Sequence, residues 1–385
     1  MRVGLLASLL SRQAGYRRAG VSRYIEALLQ YLPTVATDLE LVATVPRTVW
    51  GLAHQDFAGI EWRLTRWPTE RPVVRIAWEQ LWASRVLRDC AVVHGPVNVL
   101  PLALDRPSVV TVHDVAFLHF PEHYPPAKRW YLRVMTGLSV RRAHRVIAVS
   151  EQTRRDVIRA YGVEPGRVVV VPNGIDAGWQ RVRGEELAHW RAERGLPEHF
   201  LLFVGTIQPR KNVTTLIDAL AKLDAAIDWP LYIVGAPGWR ETPVYRRVQE
   251  RGLAQRVVFV GYVSPAELRY WYSAATLFVY PSLYEGFGLP VLEAMACGTP
   301  VITSDRSALP EVAGDAAWLV DPTDPAALAT AIATLARDPE RRIALARAGF
   351  ARAQAFSWER TARETAAVYR ALGLGLLDER GGATA

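Results

Sequence analysis

Glu285 and Glu293 stand with seven residues between them in the run Glu285-Gly286-Phe287-Gly288-Leu289-Pro290-Val291-Leu292-Glu293. On one continuous helix they would lie about 80° apart around the axis. Pro290 suits the first turn of a helix, where its missing N–H costs nothing, so Glu285 falls before the helix and Glu293 on a later turn. Gly286 and Gly288 let the backbone approach a ligand closely, and the N–H groups of a helix N-terminus favour an anion, phosphate above all. Carboxylates beside such a site can accept hydrogen bonds from sugar hydroxyls. A glycosidase pair, with carboxyls about 5–5.5 Å apart, does not explain a phosphate-type loop between them. A second candidate is Gly205-Thr206-Ile207-Gln208-Pro209-Arg210-Lys211-Asn212. Adjacent cations there would clamp a diphosphate, Arg210 through paired hydrogen bonds and Lys211 as a point charge.

Both loops need a strand before them and a helix after. The apolar run 275–280, ended by Pro281, reads as a buried strand, and Gly298 sits where a helix C-cap glycine belongs. The run 200–204 reads as another strand, leading into a helix over 213–223. Further strands are expected at 3–7, 91–94, 108–112, 144–149 and 167–171 in the first half, and at 230–235, 256–260, 299–303 and 316–320 in the second. Helices are expected at 22–32, at 151–161 behind the cap Ser150, after the capping box Ser264–Glu267, and at 324–336, 340–354 and 358–371. This alternation predicts an α/β protein of two Rossmann-like domains with parallel sheets facing across a cleft. The domains are expected over 1–175 and 185–355, with a hinge near 172–198.

His113-Asp114 ends one of these strands, and strand C-terminal ends are where open α/β sheets hold ligands. His113 could donate to a sugar hydroxyl, or receive one through its backbone carbonyl. The loop after the first strand carries Gly15 and Gly20 and is basic through Arg12, Arg17, Arg18 and Arg23, without a G-x-G-x-x-G fingerprint.

At 385 residues, with 22% charged and 50% hydrophobic residues, the chain is long enough for two or three folded domains. A net charge of +8 (46 basic less 38 acidic) suits polyanionic partners without choosing among them. The two cysteines, Cys90 and Cys297, lie in apolar contexts and read as reduced core thiols. No apolar run reaches the length needed to span a bilayer, which predicts a cytosolic protein. Residues 61–88 interleave Trp62, Trp67, Trp78 and Trp82 with six arginines, and Val74, Trp78, Leu81, Trp82 and Arg85 fall at helical spacing. Such a face usually packs on its own sheet; contact with the inner face of an anionic membrane is the alternative.

The string Glu285-Gly-Phe-Gly-Leu-Pro-x-x-Glu293 resembles the E-x7-E motif of retaining glycosyltransferases of family 4, which have the GT-B fold. The resemblance covers nearly the whole chain and is densest from 200 to 321. It implies transfer of a sugar from a nucleoside-diphosphate donor, a co-substrate and not a cofactor, with retention and without an essential metal. No Asp-x-Asp pair occurs in the sequence. It places Gly20 beside the donor phosphates, His113 against the transferred sugar, and the nucleotide base near Tyr262 and Val263. Thr206, Arg210, Lys211, Glu285, Gly286, Phe287, Gly288, Leu289 and Glu293 complete the implied donor site. Many family members carry an arginine directly after the glycine, where this chain has Thr206. The resemblance is greatest to bacterial mannosyl- and rhamnosyltransferases of surface polysaccharides, implying a hexose donor and a glycan or lipid-linked acceptor. It also implies that the last helix, 358–371, crosses back onto the first domain. A GT-B-fold nucleotide-sugar epimerase or phosphorylase is the alternative enzyme, and a basic membrane- or nucleic-acid-binding module the alternative of another class. Nucleic acid is not an expected partner, and the sequence is silent on oligomeric state.

Overall fold

The structure is a computed structural model that describes residues 1–11, 20–51, 56–238 and 242–375. It has two compact units, one formed by residues 1–174 together with the C-terminal stretch from Trp358, the other by Ile175–Ser357.

The N-terminal unit is built on a seven-stranded sheet, β1 (Arg2–Leu6), β2 (Glu40–Val45), β3 (Ile60–Leu64), β4 (Val92–Gly95), β5 (Ser108–Val112), β6 (Arg145–Ala148) and β7 (Val168–Val170). Its order is β3-β2-β1-β4-β5-β6-β7 and every pairing is parallel. β4, β5 and β6 are buried along their whole length, which is why their apolar residues stand side by side and do not alternate with charged ones. The C-terminal helix Trp358–Gly373 belongs to this unit, with Trp358 edge-on to Tyr24 of the helix Gly20–Val35 and Arg370 paired with Asp38.

The C-terminal unit has six strands, β8 (Leu201–Val204), β9 (Leu231–Val234), β10 (Val257–Gly261), β11 (Leu277–Tyr280), β12 (Val301–Ser304) and β13 (Trp318–Val320). They are again all parallel, in the order β10-β9-β8-β11-β12-β13. The order reverses direction between β8 and β11, and at such a switch point the loops leaving neighbouring strands diverge and open a crevice. Close packing between the loops after β8 and β9 depends on Gly235. A Cβ there would lie 2.1 Å from the Gly205 carbonyl oxygen.

Two expected features differ. The stretch 172–198 is not a hinge throughout: the division falls at Gly174, and Gly184–Glu193 is a helix whose Trp190 packs edge-on against Trp271 at 5.2 Å, inside the C-terminal unit. The helical spacing read at 74–85 falls on two helices and not one. The segment 61–88 begins as β3, continues as the helix Pro72–Leu81 and breaks at Trp82 before Ala83–Val86. Trp78 enters the core with Leu6, Val42 and Leu87, whereas Leu81 and Trp82 stay exposed, Trp82 resting on Trp67. No helix among the described residues is long and apolar enough to cross a membrane.

Candidate active site

β8 and β11 are neighbours, so their C-terminal loops arrive at the switch point side by side. The loop after β8 tightens into a short turn, Pro209–Lys211, and Asn212 follows in the left-handed conformation with φ 58°. Its side-chain amide donates to the carbonyls of Pro281 (3.1 Å) and Pro322 (2.6 Å), fastening this loop to the one after β11. The loop after β11 ends at Gly288, which opens the helix Leu289–Ala296 with φ 120° and no side-chain cap. The positive φ favours glycine here, and a Cβ would displace the Leu309 side-chain tip, 2.8 Å away. Among the described residues, nothing accepts from the backbone amides of Gly288 and Leu289. Pro290 stands in the first turn, as its chemistry requires.

Between these loops lies a buried charged cluster. Lys211 Nζ is 2.6 Å from Glu285 Oε1, and Arg210 Nη1 is 2.8 Å from Glu285 Oε2 and 2.8 Å from the Tyr284 carbonyl. Tyr280 and Ser282 also donate to Oε1, at 2.9 and 2.6 Å, and Lys211 donates to the Tyr280 hydroxyl as well. Burial alone would raise the Glu285 carboxyl, but Arg210 and Lys211, with hydrogen bonds from Lys211 and Ser282, outweigh it and hold the pKa at about 2. The same burial, and then the Glu285 charge, push the Tyr280 phenol well above its ordinary range, so it remains a donor. Two cations facing one carboxylate leave the cluster with a net positive charge of one beside helix-end amides. That combination suits a dianion or a diphosphate.

Arg210, Lys211, Glu285, Gly286, Gly288 and Leu289 are thus brought together at the switch point. Thr206 lies on the same loop as Arg210, and Tyr262 and Val263 follow β10 at the same end of the sheet, Tyr262 with 45% of its surface exposed. Phe287 has its ring buried edge-on against Phe356 at 5.9 Å, which leaves its backbone for a ligand. Glu293 is enclosed as well. It is 3% exposed and accepts from Tyr272 Oη at 3.0 Å, because its place on the helix turns it to the core.

Gly20 and His113 belong to the N-terminal unit, Gly20 as the first residue of the helix Gly20–Val35. Gly15, Arg12, Arg17 and Arg18 lie outside the described residues. His113 follows β5, with Nε2 2.8 Å from the Pro96 carbonyl, its backbone N–H donating to Asn98 Oδ1, and its ring edge-on to Tyr24. Burial lowers its pKa, only partly opposed by the Pro96 contact, so the ring is neutral and its single proton sits on Nε2. In this arrangement the Nε2 proton is engaged by the Pro96 carbonyl. Nδ1 and the backbone carbonyl remain as acceptors.

Sequence reasoning passed over Tyr280, Ser282, Asn98 and Ser307, whose hydroxyl accepts from the Glu285 amide at 2.9 Å. Tyr280 and Ser282 flank the strand-ending Pro281 and could have been suspected from that position. Asn98 and Ser307 left no signal beyond their type, and both adopt positive φ. Among the described residues there is no cluster of three His, Cys, Asp or Glu side chains placed to hold a metal. Cys90 and Cys297 are buried free thiols, as expected, and burial lifts the Cys297 thiol to about 12.

Comparison with known proteins agrees with this architecture. Residues 186–352 match the family model described as glycosyl transferases group 1, and residues 18–179 match that of glycosyltransferase family 4. The O-antigen chain mannosyltransferase B of Escherichia coli is 37% identical over 298 residues, 76% of this chain and 77% of that protein. A D-inositol 3-phosphate glycosyltransferase of Catenulispora acidiphila is 38% identical over 240 residues, 59% of this chain and 56% of its own length. Among solved structures, sucrose-phosphate synthase from Thermosynechococcus elongatus superposes with a TM-score of 0.78 at 26% identity, covering 97% of this chain and 99% of that one. An Anabaena protein solved with UDP-glucose gives 0.76 at 21% identity, covering 96% and 100%, a likeness of fold. With both halves matched and a relative aligned over three quarters of its length, this chain belongs to the family 4 glycosyltransferases and has their GT-B fold.

Proposed function

We propose that the chain transfers a hexose of the mannose type from a nucleoside-diphosphate sugar to a glycan or lipid-linked acceptor, with retention at the anomeric carbon and without a metal. The observation that carries the donor class is the convergence of Arg210, Lys211 and the Gly288–Leu289 amides at one switch point. Cleaving the sugar–phosphate bond builds negative charge on the departing diphosphate. Preorganised donors in a water-poor site are then worth most, about 2.7–4 kcal/mol for each one removed. Arg210 and Lys211 stabilise this charge in place of a metal ion.

Glu285 holds both cations in position. Its Oε1 receives three donors and its Oε2 one, leaving a lone pair on Oε2 that can accept from a sugar hydroxyl. His113 accepts from a sugar hydroxyl through Nδ1 or its carbonyl. Neither group acts as a covalent nucleophile in this reading: Glu285 is pinned by four donors, and the departing phosphate takes the acceptor proton. The exposed Tyr262 and the backbone at Val263 contact the nucleotide base.

Support for the mannose type comes from the Escherichia coli relative named a mannosyltransferase. The Anabaena neighbour, solved with UDP-glucose, supports the donor class. Work at the cytoplasmic side, with peripheral membrane contact, fits this acceptor class.

The test is a thermal-shift screen with GDP, UDP, dTDP and ADP and their sugars. Saturation at 100 times the dissociation constant raises stability by about 2.7 kcal/mol. Turnover with the donor that binds, followed by anomeric coupling constants in the product, then reads the stereochemistry. A product of inverted configuration, or free epimerised donor with no transfer, removes the proposal.

A further inference from the structure

The C-terminal unit carries a second pocket, of about 680 Å³, away from the strand ends just described. Thr276 and Pro300 in its wall immediately precede β11 and β12, so it opens at the opposite end of the sheet from Arg210 and Lys211. From Thr276 to Pro281 the chain advances about 16 Å, at roughly 3.3 Å per residue. Gly298, just past the C-terminus of the helix Leu289–Ala296, also lines it. That helix therefore has the glycine loop at one end and this pocket at the other.

Four arginines line the pocket, Arg181, Arg183, Arg342 and Arg347, and no aspartate or glutamate does. Arg342 is engaged, its Nη1 donating to the carbonyls of Leu335 (2.6 Å) and Ala336 (2.9 Å). Arg181, Arg183 and Arg347 make no hydrogen bond or ion pair among the described residues. Burial, and next the neighbouring Arg183 charge, pull the Arg181 guanidinium below its ordinary range. Unneutralised like charges gathered in one concavity repel, and an anion relieves that repulsion. The remaining wall is apolar: Ile343 and Phe350, at helical spacing on Pro339–Ala353, are 53% and 47% exposed.

A hydrated inorganic ion would leave this apolar wall wet. A flat, long acidic surface would not need a concavity whose volume falls in the range of small-molecule sites. The planar fork of arginine matches phosphate oxygens in pairs. We propose that this pocket binds a phosphorylated small molecule, with Arg181, Arg183 and Arg347 holding its phosphate or diphosphate and Ile343 and Phe350 covering an apolar body. The site is separate from the donor site and does not depend on the transfer reaction proposed above.

The experiment is calorimetric titration of the full chain with geranyl diphosphate and with inorganic pyrophosphate. Geranyl diphosphate is expected to bind at least about tenfold more tightly, because its chain covers the apolar wall. Arg183→Glu with Arg347→Glu, both exposed side chains, is expected to abolish the preference for geranyl diphosphate over pyrophosphate. Arg210→Ala is expected to leave it unchanged. The proposal is overturned if neither probe binds at millimolar concentration, or if Arg210→Ala abolishes binding while the double variant does not. Binding to phosphatidylglycerol vesicles, or to an acidic peptide, without binding of soluble geranyl diphosphate overturns it equally, since the pocket would then be part of a docking surface. Loss of donor turnover with pocket binding intact bears on the proposed function and not on this site.

Discussion

Lys211 and Glu285, 74 residues apart in sequence, meet with 2.6 Å between Nζ and Oε1, and each side chain is about one-tenth exposed. The ion pair closes the switch point between β8 and β11. Both partners are withdrawn from water, so the pair contributes little net stability, and without Lys211 the Glu285 carboxylate has Arg210 as its remaining cation.

Lys211→Ala is therefore expected to lose stability and turnover together. Glu285 keeps Arg210, Tyr280 and Ser282 but loses one charge-assisted hydrogen bond, at about 1.5–3 kcal/mol, and the missing cation costs about 2.7–4 kcal/mol in the transition state. Lys211→Met with Glu285→Gln separates the two effects. Urea unfolding should recover most of the stability, while turnover stays at least a hundredfold down. If turnover returns along with stability, the lysine serves only the fold.

Tyr272 Oη donates to Glu293 Oε2 from a fully buried ring. Tyr272→Phe withdraws that donor from a buried carboxylate and is expected to cost about 1–3 kcal/mol. If Glu293 serves the core, the melting temperature falls and the KM for donor does not move. A KM rise without loss of melting temperature would restore Glu293 to the ligand.

His113 is neutral in this environment, its pKa lowered by burial. The rate of transfer is expected to show no inflection near pH 6.5, the ordinary histidine value, in assays between pH 6 and 8. An inflection there that disappears in His113→Asn would contradict the acceptor role assigned to Nδ1.

His94 sets a pH limit on stability. It lies between Tyr369 Oη (2.6 Å) and Thr111 Oγ1 (2.8 Å), and burial, with the neighbouring His113, lowers its pKa from 6.5 to about 3. Between these values the unfolded chain binds a proton that the folded chain refuses. This stability is complete above pH 6.5 and is lost as the pH falls, at up to about 1.4 kcal/mol per pH unit. Urea unfolding between pH 6.5 and 5, above the Glu285 range, should show that slope, and His94→Asn should reduce it, the lowered His113 contributing the remainder. A wild-type stability independent of pH in this window would refute the assignment.

The same network shows where sequence reading stops. Most strands were legible because parallel sheets bury both faces: 200–204 is an unbroken apolar run, and in 108–112 only Ser108 and Thr111 interrupt the valines. The helix at 151–161 was bounded by Ser150, whose hydroxyl accepts from the Thr153 amide. β2 and β3 went unread. β3 is an edge strand whose exposed Glu61 and half-buried Trp62 and Arg63 carry no apolar run, and its neighbouring tryptophans imitate a helical face.

What the sequence determined by itself was the class of chemistry. Glycines at strand ends, a proline in a helix's first turn and two adjacent cations are local features, fixed by backbone sterics and charge. The tertiary structure alone decided how those groups face one another. It turned Glu293 inward to Tyr272, gave Glu285 four donors from both loops and β11, and fixed the His113 proton by means of Pro96. Partners distant in the chain meet only once strand order is set. Whether a carboxylate meets solvent, ligand or a neighbouring cation depends on that meeting, which no local pattern encodes.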